Sequence, residues 1–364
     1  MIFQIARDSL LDSLSKTVPI TEKRTSLPIL SHVLVEAAET TVTLVATDLE
    51  VGIRITNESE VTETGSLAIP SKKMYEIVRE LGSPTVNIRS LENNRLMIEA
   101  GQSVFQLSGM DAADYPAWLA LDQAQTASVS AEKLVYMIDK TMFAASTDDS
   151  RFNLNGILFE QNADQARFVA TDGHRLALIS EDLGFKLESN VVVPRKGIGE
   201  LRRVLEGLKE QIVLGVEQKN LFVKTERLMM TVRLIEGDYP DYRKVIPDSG
   251  DRLVKINRQE LIRTVKRVAV LTSERNKGVG VQVAPGNMEI TATHPDLGTA
   301  KDAVAVQYEG EEFSVILNAS YLQEALAAID TDTVMLEFHK EGSPVILRPD
   351  GTDSYFNLVM PMRK

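Results

Sequence analysis

Ala170-Thr171-Asp172-Gly173 decides how this chain is read, because the phrase has two relatives in the same sequence. Ala46-Thr47-Asp48-Leu49 stands 124 residues before it, and Ala292-Thr293-His294-Pro295 stands 122 residues after it. Other landmarks keep the same step. Tyr115-Pro116 returns 124 residues later as Tyr239-Pro240, and Ile69-Pro70-Ser71-Lys72 returns as Val193-Pro194-Arg195-Lys196, then as Leu317-Asn318-Ala319-Ser320. Several landmarks displaced together mean three copies of one fold, and such repetition sets the architecture before any local reading. The period exceeds a solenoid unit of about 20–50 residues. It has the size of a whole domain, on the order of 100–150 residues.

Around those phrases each copy repeats one order of elements. A helical pattern opens it, with Leu10, Leu11 and Leu14, then Leu134, Met137 and Ile138, then Leu261, Val265 and Val268 at spacings that line one face. Short strands follow, at 41–45, 51–55, 157–159, 167–170, 279–283 and 289–292. A second amphipathic helix begins near Ser71, Arg195 or Ala319, and more strands close the copy, with turns at Asn93-Asn94, Lys219-Asn220 and Gly342-Ser343. Each copy is therefore an α+β unit that itself looks duplicated. The polar stretches 122–126 and 248–251 divide the chain into 1–122, 123–249 and 250–364.

Composition narrows the class. With 43% hydrophobic and 25% charged residues, the 364-residue chain reads as an ordinary soluble protein. It has no cysteine, which removes disulfides, thiolate ligands and thiol nucleophiles and suits a reducing cytosol. No apolar run approaches the roughly 20 residues that span a bilayer, and charged residues come too early for a signal peptide. A net charge of −12 argues against nucleic acid unless the positive charge is gathered in one place. It is gathered. The six predicted helices together are net positive, through Lys72, Lys73, Arg79, Arg195, Lys196, Arg202, Arg203, Arg258, Arg263, Lys266 and Arg267, which leaves the rest of the chain strongly acidic. The bland alternative is that Lys and Arg populate the solvated face of most surface helices.

Catalytic and metal signals are weak. There is no Gly-rich phosphate loop, Gly278-Val279-Gly280 lacks the third glycine of a dinucleotide fingerprint, and no two of the four histidines have metal-ligand spacing. No metal or other cofactor is expected. The cluster Thr171-Asp172-Gly173-His174-Arg175 offers an acid, a base and an anion clamp, but no nucleophile sits at a recognisable elbow. Asp114-Tyr115-Pro116 and Asp238-Tyr239-Pro240-Asp241-Tyr242 read first as proline-fixed turns and second as an aromatic rim on a groove. The chain ends on the apolar Asn357-Leu358-Val359-Met360-Pro361-Met362, either a docked final strand or part of a surface that uses adaptable Met side chains.

Leu27-Pro28-Ile29-Leu30, Thr47-Asp48-Leu49-Glu50, residues 170–176, Val193-Pro194-Arg195-Lys196-Gly197, Asp238-Tyr239-Pro240-Asp241-Tyr242 and Val359-Met360-Pro361-Met362-Arg363 occur in one order from residue 27 to the end. As a set they resemble the bacterial DNA polymerase III beta-subunit family, the DNA sliding clamps. The resemblance implies the DNA clamp fold: three clamp-like domains per chain in a head-to-tail homodimeric ring, helices on the inner face and antiparallel sheets on the outer face. It implies a processivity factor without catalytic activity, which encircles duplex DNA in the bacterial cytoplasm, at the nucleoid. Its partners are then the DNA polymerase III alpha subunit, the clamp loader delta subunit and other replication and repair proteins, with no membrane involved.

The resemblance also carries residues. DNA-facing positions are Arg24, Lys72, Lys73, Arg79, Arg151, Phe152, Asn153, Arg195, Lys196, Arg202, Arg203, Arg263, Lys266 and Arg267. A partner site is implied at Leu154, Thr171, Gly173, His174, Arg175, Leu176, Pro240, Lys244, Val245, Asn318, Tyr321, Val345, Leu358, Met360, Pro361 and Met362, apolar with a few polar anchors and suited to short peptides carrying Leu or Phe. Lys244 stands where Arg is common, giving a point charge in place of a planar fork. The seam is implied to join Phe105 and Leu107 of one subunit to Val270 and Leu271 of the other. Two rivals stand beside this reading: an enzyme centred on Thr171 to Arg175, and a repeat scaffold that binds only proteins.

Overall fold

The structure is a computed structural model that describes residues 1–21, 27–118, 125–184, 189–217, 219–248, 250, 252–273, 277–340 and 342–362. Arg24 and the expected boundaries at 122 and 249 lie outside the described residues.

All six predicted helices are present: α1 (Arg7–Thr17), α2 (Ser71–Glu80), α3 (Ala131–Thr141), α4 (Arg195–Leu205), α5 (Arg258–Ala269) and α6 (Ala319–Ala327). Their apolar residues at steps of three and four become buried stripes, Leu10 and Leu14 on α1, Met74 and Val78 on α2, Leu261, Val265 and Val268 on α5. At its end α3 gives way to a tighter turn at Met142–Ala144. The helix α4 stops at Leu205, two residues before Gly207 takes the left-handed conformation that ends helices.

The described residues pack as two compact units, one of 1–132 and 199–234, the other of 133–198 and 235–364. The cut runs through the middle repeat because each repeat is two halves, and sheets join halves of consecutive repeats. In the first unit an eight-stranded antiparallel sheet places Leu228–Arg233 of the second repeat beside Val51–Glu58 of the first, with Met230 opposite Ile53. In the second unit a twelve-stranded sheet places Tyr355–Val359 of the third repeat beside Arg175–Glu181 of the second, with Leu358 opposite Leu176. The two junctions are the same junction one repeat apart.

One half-repeat is left over in each unit. In the first unit it forms a five-stranded sheet that ends at Ser103–Ser108, where Val104 and Phe105 are exposed. In the second unit Gly298–Gln307, the counterpart of Val51–Glu58 and Arg175–Glu181, meets Arg252–Asn257 only at its last two residues. From 298 to 305 its outer edge has no strand beside it among the described residues.

Burial follows this plan. The core of the first repeat draws Phe3 and Ile5 from one strand, Leu10, Leu14, Met74 and Val78 from α1 and α2, and Val35, Leu44, Ile88 and Ile98 from the sheets beneath them. A smaller cluster lies in each unit: Ile29, Leu34, Val45, Ala68 and Tyr115 in the first, Leu158, Val169, Leu176, Val192, Tyr242 and Leu358 in the second. Leu34, Val45 and Ala68 recur 124 residues on as Leu158, Val169 and Val192.

Candidate functional site

The hairpin between Gln165–Thr171 and Arg175–Glu181 turns on residues 172–174. Asp172 is why it turns there: its Oδ1 accepts the backbone N–H groups of His174 and Arg175 at 2.9 and 3.0 Å, and Gly173 supplies the left-handed φ of 86°. Thr171 closes the loop, its Oγ1 accepting from Gly173 N and donating to the Arg175 carbonyl. The Thr47-Asp48-Leu49 turn repeats every one of these bonds, Asp48 Oδ1 accepting from Glu50 and Val51 at 2.9 and 2.7 Å and Thr47 Oγ1 donating to the Val51 carbonyl at 3.0 Å.

Behind the turn stands Tyr239, whose hydroxyl accepts the Thr171 N–H at 3.0 Å. Burial pushes the Tyr239 phenol well above its usual range, as it does Tyr115 in the first repeat, so both remain neutral partners for the backbone. In front of the turn Arg175 binds on all sides: to Asp172 Oδ2 at 3.1 Å, Glu324 Oε2 at 2.6 Å and the Phe143 carbonyl at 2.6 Å, with its guanidinium 4.5 Å from the Tyr321 ring centroid. The His174 ring lies 6.4 Å from that of Tyr321 and nearly parallel to it. Asn318 holds Tyr321 in place by capping α6, its Oδ1 accepting from Ser320 N and Tyr321 N.

The end of the chain completes the site. Leu358 and Val359 are buried, Val359 pairs with both Arg175 and Val345, and the tail then runs over the turn, Met360 N donating to the His174 carbonyl at 2.9 Å and Met362 N to the Ile316 carbonyl at 2.8 Å. The docked-strand reading of the apolar terminus holds to 359, and beyond it Met360, Pro361 and Met362 are half-buried.

The turn Tyr242–Val245 presents Lys244 and Val245 to solvent. It is anchored by Glu160, a fully buried carboxylate that accepts from the Tyr242 hydroxyl, from Arg167, and from Arg243 at 2.9 Å on both oxygens. Pro240 lies beside Tyr239, and Leu154 is half-buried at the end of the turn Asp149–Leu154. All sixteen expected partner-site residues thus fall in one compact unit. Sequence patterns do not single out Glu160, Glu324 or Phe143, although a lone carboxylate in the apolar strand Gly156-Ile157-Leu158-Phe159-Glu160 is a signal for a buried ion pair.

The described residues expected to face DNA are held in different ways. Arg195 donates to the Met142 and Ala145 carbonyls, and Arg203 to those of Ser15 and Lys16, so both fasten helix ends. Arg151 donates to the Asp172 carbonyl at 2.9 Å and Asn153 to that of Asp238 at 3.2 Å, tying the exposed Phe152 to the partner-site loops. Arg79, Arg202 and Arg267 pair with Glu80, Glu206 and Asp302, and Lys72 and Lys73 share Glu76. Lys196, Arg263 and Lys266 are exposed. Of the expected seam residues, Phe105 and Val270 are exposed, while Leu107 and Leu271 are half-buried.

The turn is poorly arranged for catalysis, since Asp172 bonds the backbone of His174 and the guanidinium of Arg175 and not the imidazole. Among the described residues, no group of three or more His, Asp or Glu side chains is placed to hold a metal ion.

Comparison with known proteins agrees with the geometry. Family models described as the N-terminal, central and C-terminal domains of the DNA polymerase III beta subunit match residues 1–120, 128–241 and 243–363. The beta sliding clamp of Pseudomonas putida is 35% identical over 367 residues, covering 100% of both chains. The crystal structure of the DNA polymerase III subunit beta from Pseudomonas aeruginosa superposes with a TM-score of 0.96 at 35% identity, again over 100% of each chain. A second Pseudomonas aeruginosa sliding clamp structure, bound to griselimycin, gives a TM-score of 0.95 at 34% identity and the same full coverage. Kinship along its whole length, with the same fold throughout, shows that the chain belongs to the DNA polymerase III beta-subunit family, the beta sliding clamps.

Proposed function

We propose that the chain is a processivity factor: two copies pair head to tail, encircle duplex DNA without reading its sequence, and tether a polymerase and other replication and repair proteins through the pocket around His174. The observation that carries this reading is full-length kinship with beta sliding clamps at 100% coverage of both chains. The unpaired half-repeats support the dimer. Twice within the chain a strand of one repeat pairs with the next repeat, and continuing that rule sets Ser103–Ser108 of one copy against Gly298–Gln307 of another, with Phe105 and Leu107 near Val270 and Leu271. Such heterologous contacts close into a ring when the rotation allows.

Enclosure needs little direct affinity. Exposed cations, Lys72 and Lys73 in one unit and Lys196, Arg263 and Lys266 in the other, offer contacts to phosphates, while a net charge of −12 repels DNA elsewhere. The polymerase III alpha subunit and the clamp loader delta subunit fit the pocket by presenting short segments with Leu or Phe, received by Leu176, Leu358, Met360, Pro361 and Met362. The same reading divides the chain into three domains at about 122 and 249 and locates it in the bacterial cytoplasm at the nucleoid. Among the described residues no helix is long and apolar enough to cross a membrane.

Deleting residues 360–364 tests the tether. It removes the Met-Pro-Met surface and two backbone bonds but leaves the 355–359 strand in its sheet. Binding of a Leu- and Phe-bearing peptide is lost and sedimentation as a dimer is kept; undiminished peptide affinity contradicts the assignment.

A further inference from the structure

The first unit contains a second cleft built on the same frame as the partner pocket. It occupies about 270 Å³ beside the Thr47-Asp48-Leu49 turn, bordered by Leu49, Pro116, Trp118, Lys219 and Arg233. The correspondence extends to single bonds. Arg233 N donates to the Glu50 carbonyl at 2.8 Å just as Met360 N donates to that of His174 at 2.9 Å, and Tyr115 stands behind its turn as Tyr239 does.

What differs is the lining. Gly52 and Thr231 are paired across the strands where Leu176 and Leu358 are paired in the partner pocket, and Arg233 replaces Met360. The room left by those smaller residues is used by Trp118, the only tryptophan of the chain; a Cβ on Gly52 would approach its ring to 3.2 Å and Thr231 Oγ1 to 2.8 Å. Leu49 is 52% exposed and held at φ 75°, where the partner pocket has Gly173. A bulky residue in the left-handed region carries backbone strain, and exposing it adds unfavourable apolar surface, a combination that marks a contact site.

We propose that this cleft is a second docking site, for a short acidic peptide with a Leu or Phe anchor. The anchor packs on Trp118 and Leu49. The carboxylates meet Lys219 and Arg233, which stand beside Glu50 among the described lining residues, on a chain that is acidic as a whole. The partner pocket has Met360 in place of Arg233, so one subunit carries two clefts of different lining.

Because Trp118 is the sole tryptophan, its fluorescence reports this cleft alone. The acetylated hexapeptide Glu-Leu-Phe-Glu-Asp-Leu, titrated into the full-length chain, should shift Trp118 emission saturably, and the shift should weaken with added salt. Arg233→Glu should weaken the response at least tenfold. Leu49→Gly, which relieves the strained turn and so folds, should also weaken it several-fold, while deletion of 360–364 should leave it unchanged, separating this site from the partner pocket. The proposal is overturned if the peptide gives no shift, if both substitutions leave the response intact, or if emission shifts with protein concentration alone, which would assign the cleft to a second copy.

Discussion

At the scale of single residues, two aspartates and two tyrosines build equivalent turns in the first and second repeats. Asp48 and Asp172 cap the loop, and from behind it Tyr239 accepts the Thr171 N–H while Tyr115 donates to the His32 and Val45 carbonyls. Burial raises both phenols, and Tyr355 likewise, above the usual value near 10. The unfolded chain ionises its tyrosines near that value while the folded chain keeps them neutral, so stability is intact below about pH 10 and falls as pH rises beyond it. Tyr239→Phe removes the acceptor for Thr171 N and should cost about 1 kcal/mol at neutral pH. The substitution also removes one ionising group, so its difference from the unaltered chain in urea unfolding should narrow between pH 8 and pH 11; a widening gap contradicts the argument. These turns were legible because the repeat wrote them twice. The ties of Arg175 to Glu324, 149 positions away, were not, since tertiary contacts leave no local pattern.

At the scale of elements, the helices share a device that charge counting hides. Arginines at the first position of three helices reach back to carbonyls at the end of a paired one: Arg7 to Val78 and Arg79, Arg195 to Met142 and Ala145, Arg258 to Leu326 and Thr331. Arg203 does the same for the end of α1, and the buried Lys140 binds the Ala328 carbonyl beside α6. Cations at helix C-termini satisfy orphan carbonyls and oppose the helix dipole. Arg258→Ala should therefore destabilise the chain by about 1–2 kcal/mol. Arg263→Ala, on the exposed face of the same helix, should change stability by less than about 0.5 kcal/mol. Urea midpoints compare the two, and equal effects contradict the division. The positions of all six helices were readable from apolar spacing, but which of their cations are structural was not, because that depends on which helix end lies opposite.

At the scale of the whole molecule, repetition was plain in sequence and its consequence was not. The repeats suggest three separate modules, whereas the strands run from one repeat into the next, so the middle repeat belongs half to each compact unit. Strand edges carry no signature beyond alternating residues, which is why that continuity stays hidden until strands are paired. The same continuity leaves one half-repeat open in each unit, and enclosure of DNA by two copies follows from closing both. Retention on DNA tests that enclosure directly: the chain is loaded onto nicked circular DNA with the clamp loader proposed as its partner, separated from free protein, and the circle is then cut once. Enclosure requires that the protein stay on the circle through high salt and leave when the circle is linearised. Equal retention on circular and linear DNA, or loss from both at the same salt concentration, contradicts it.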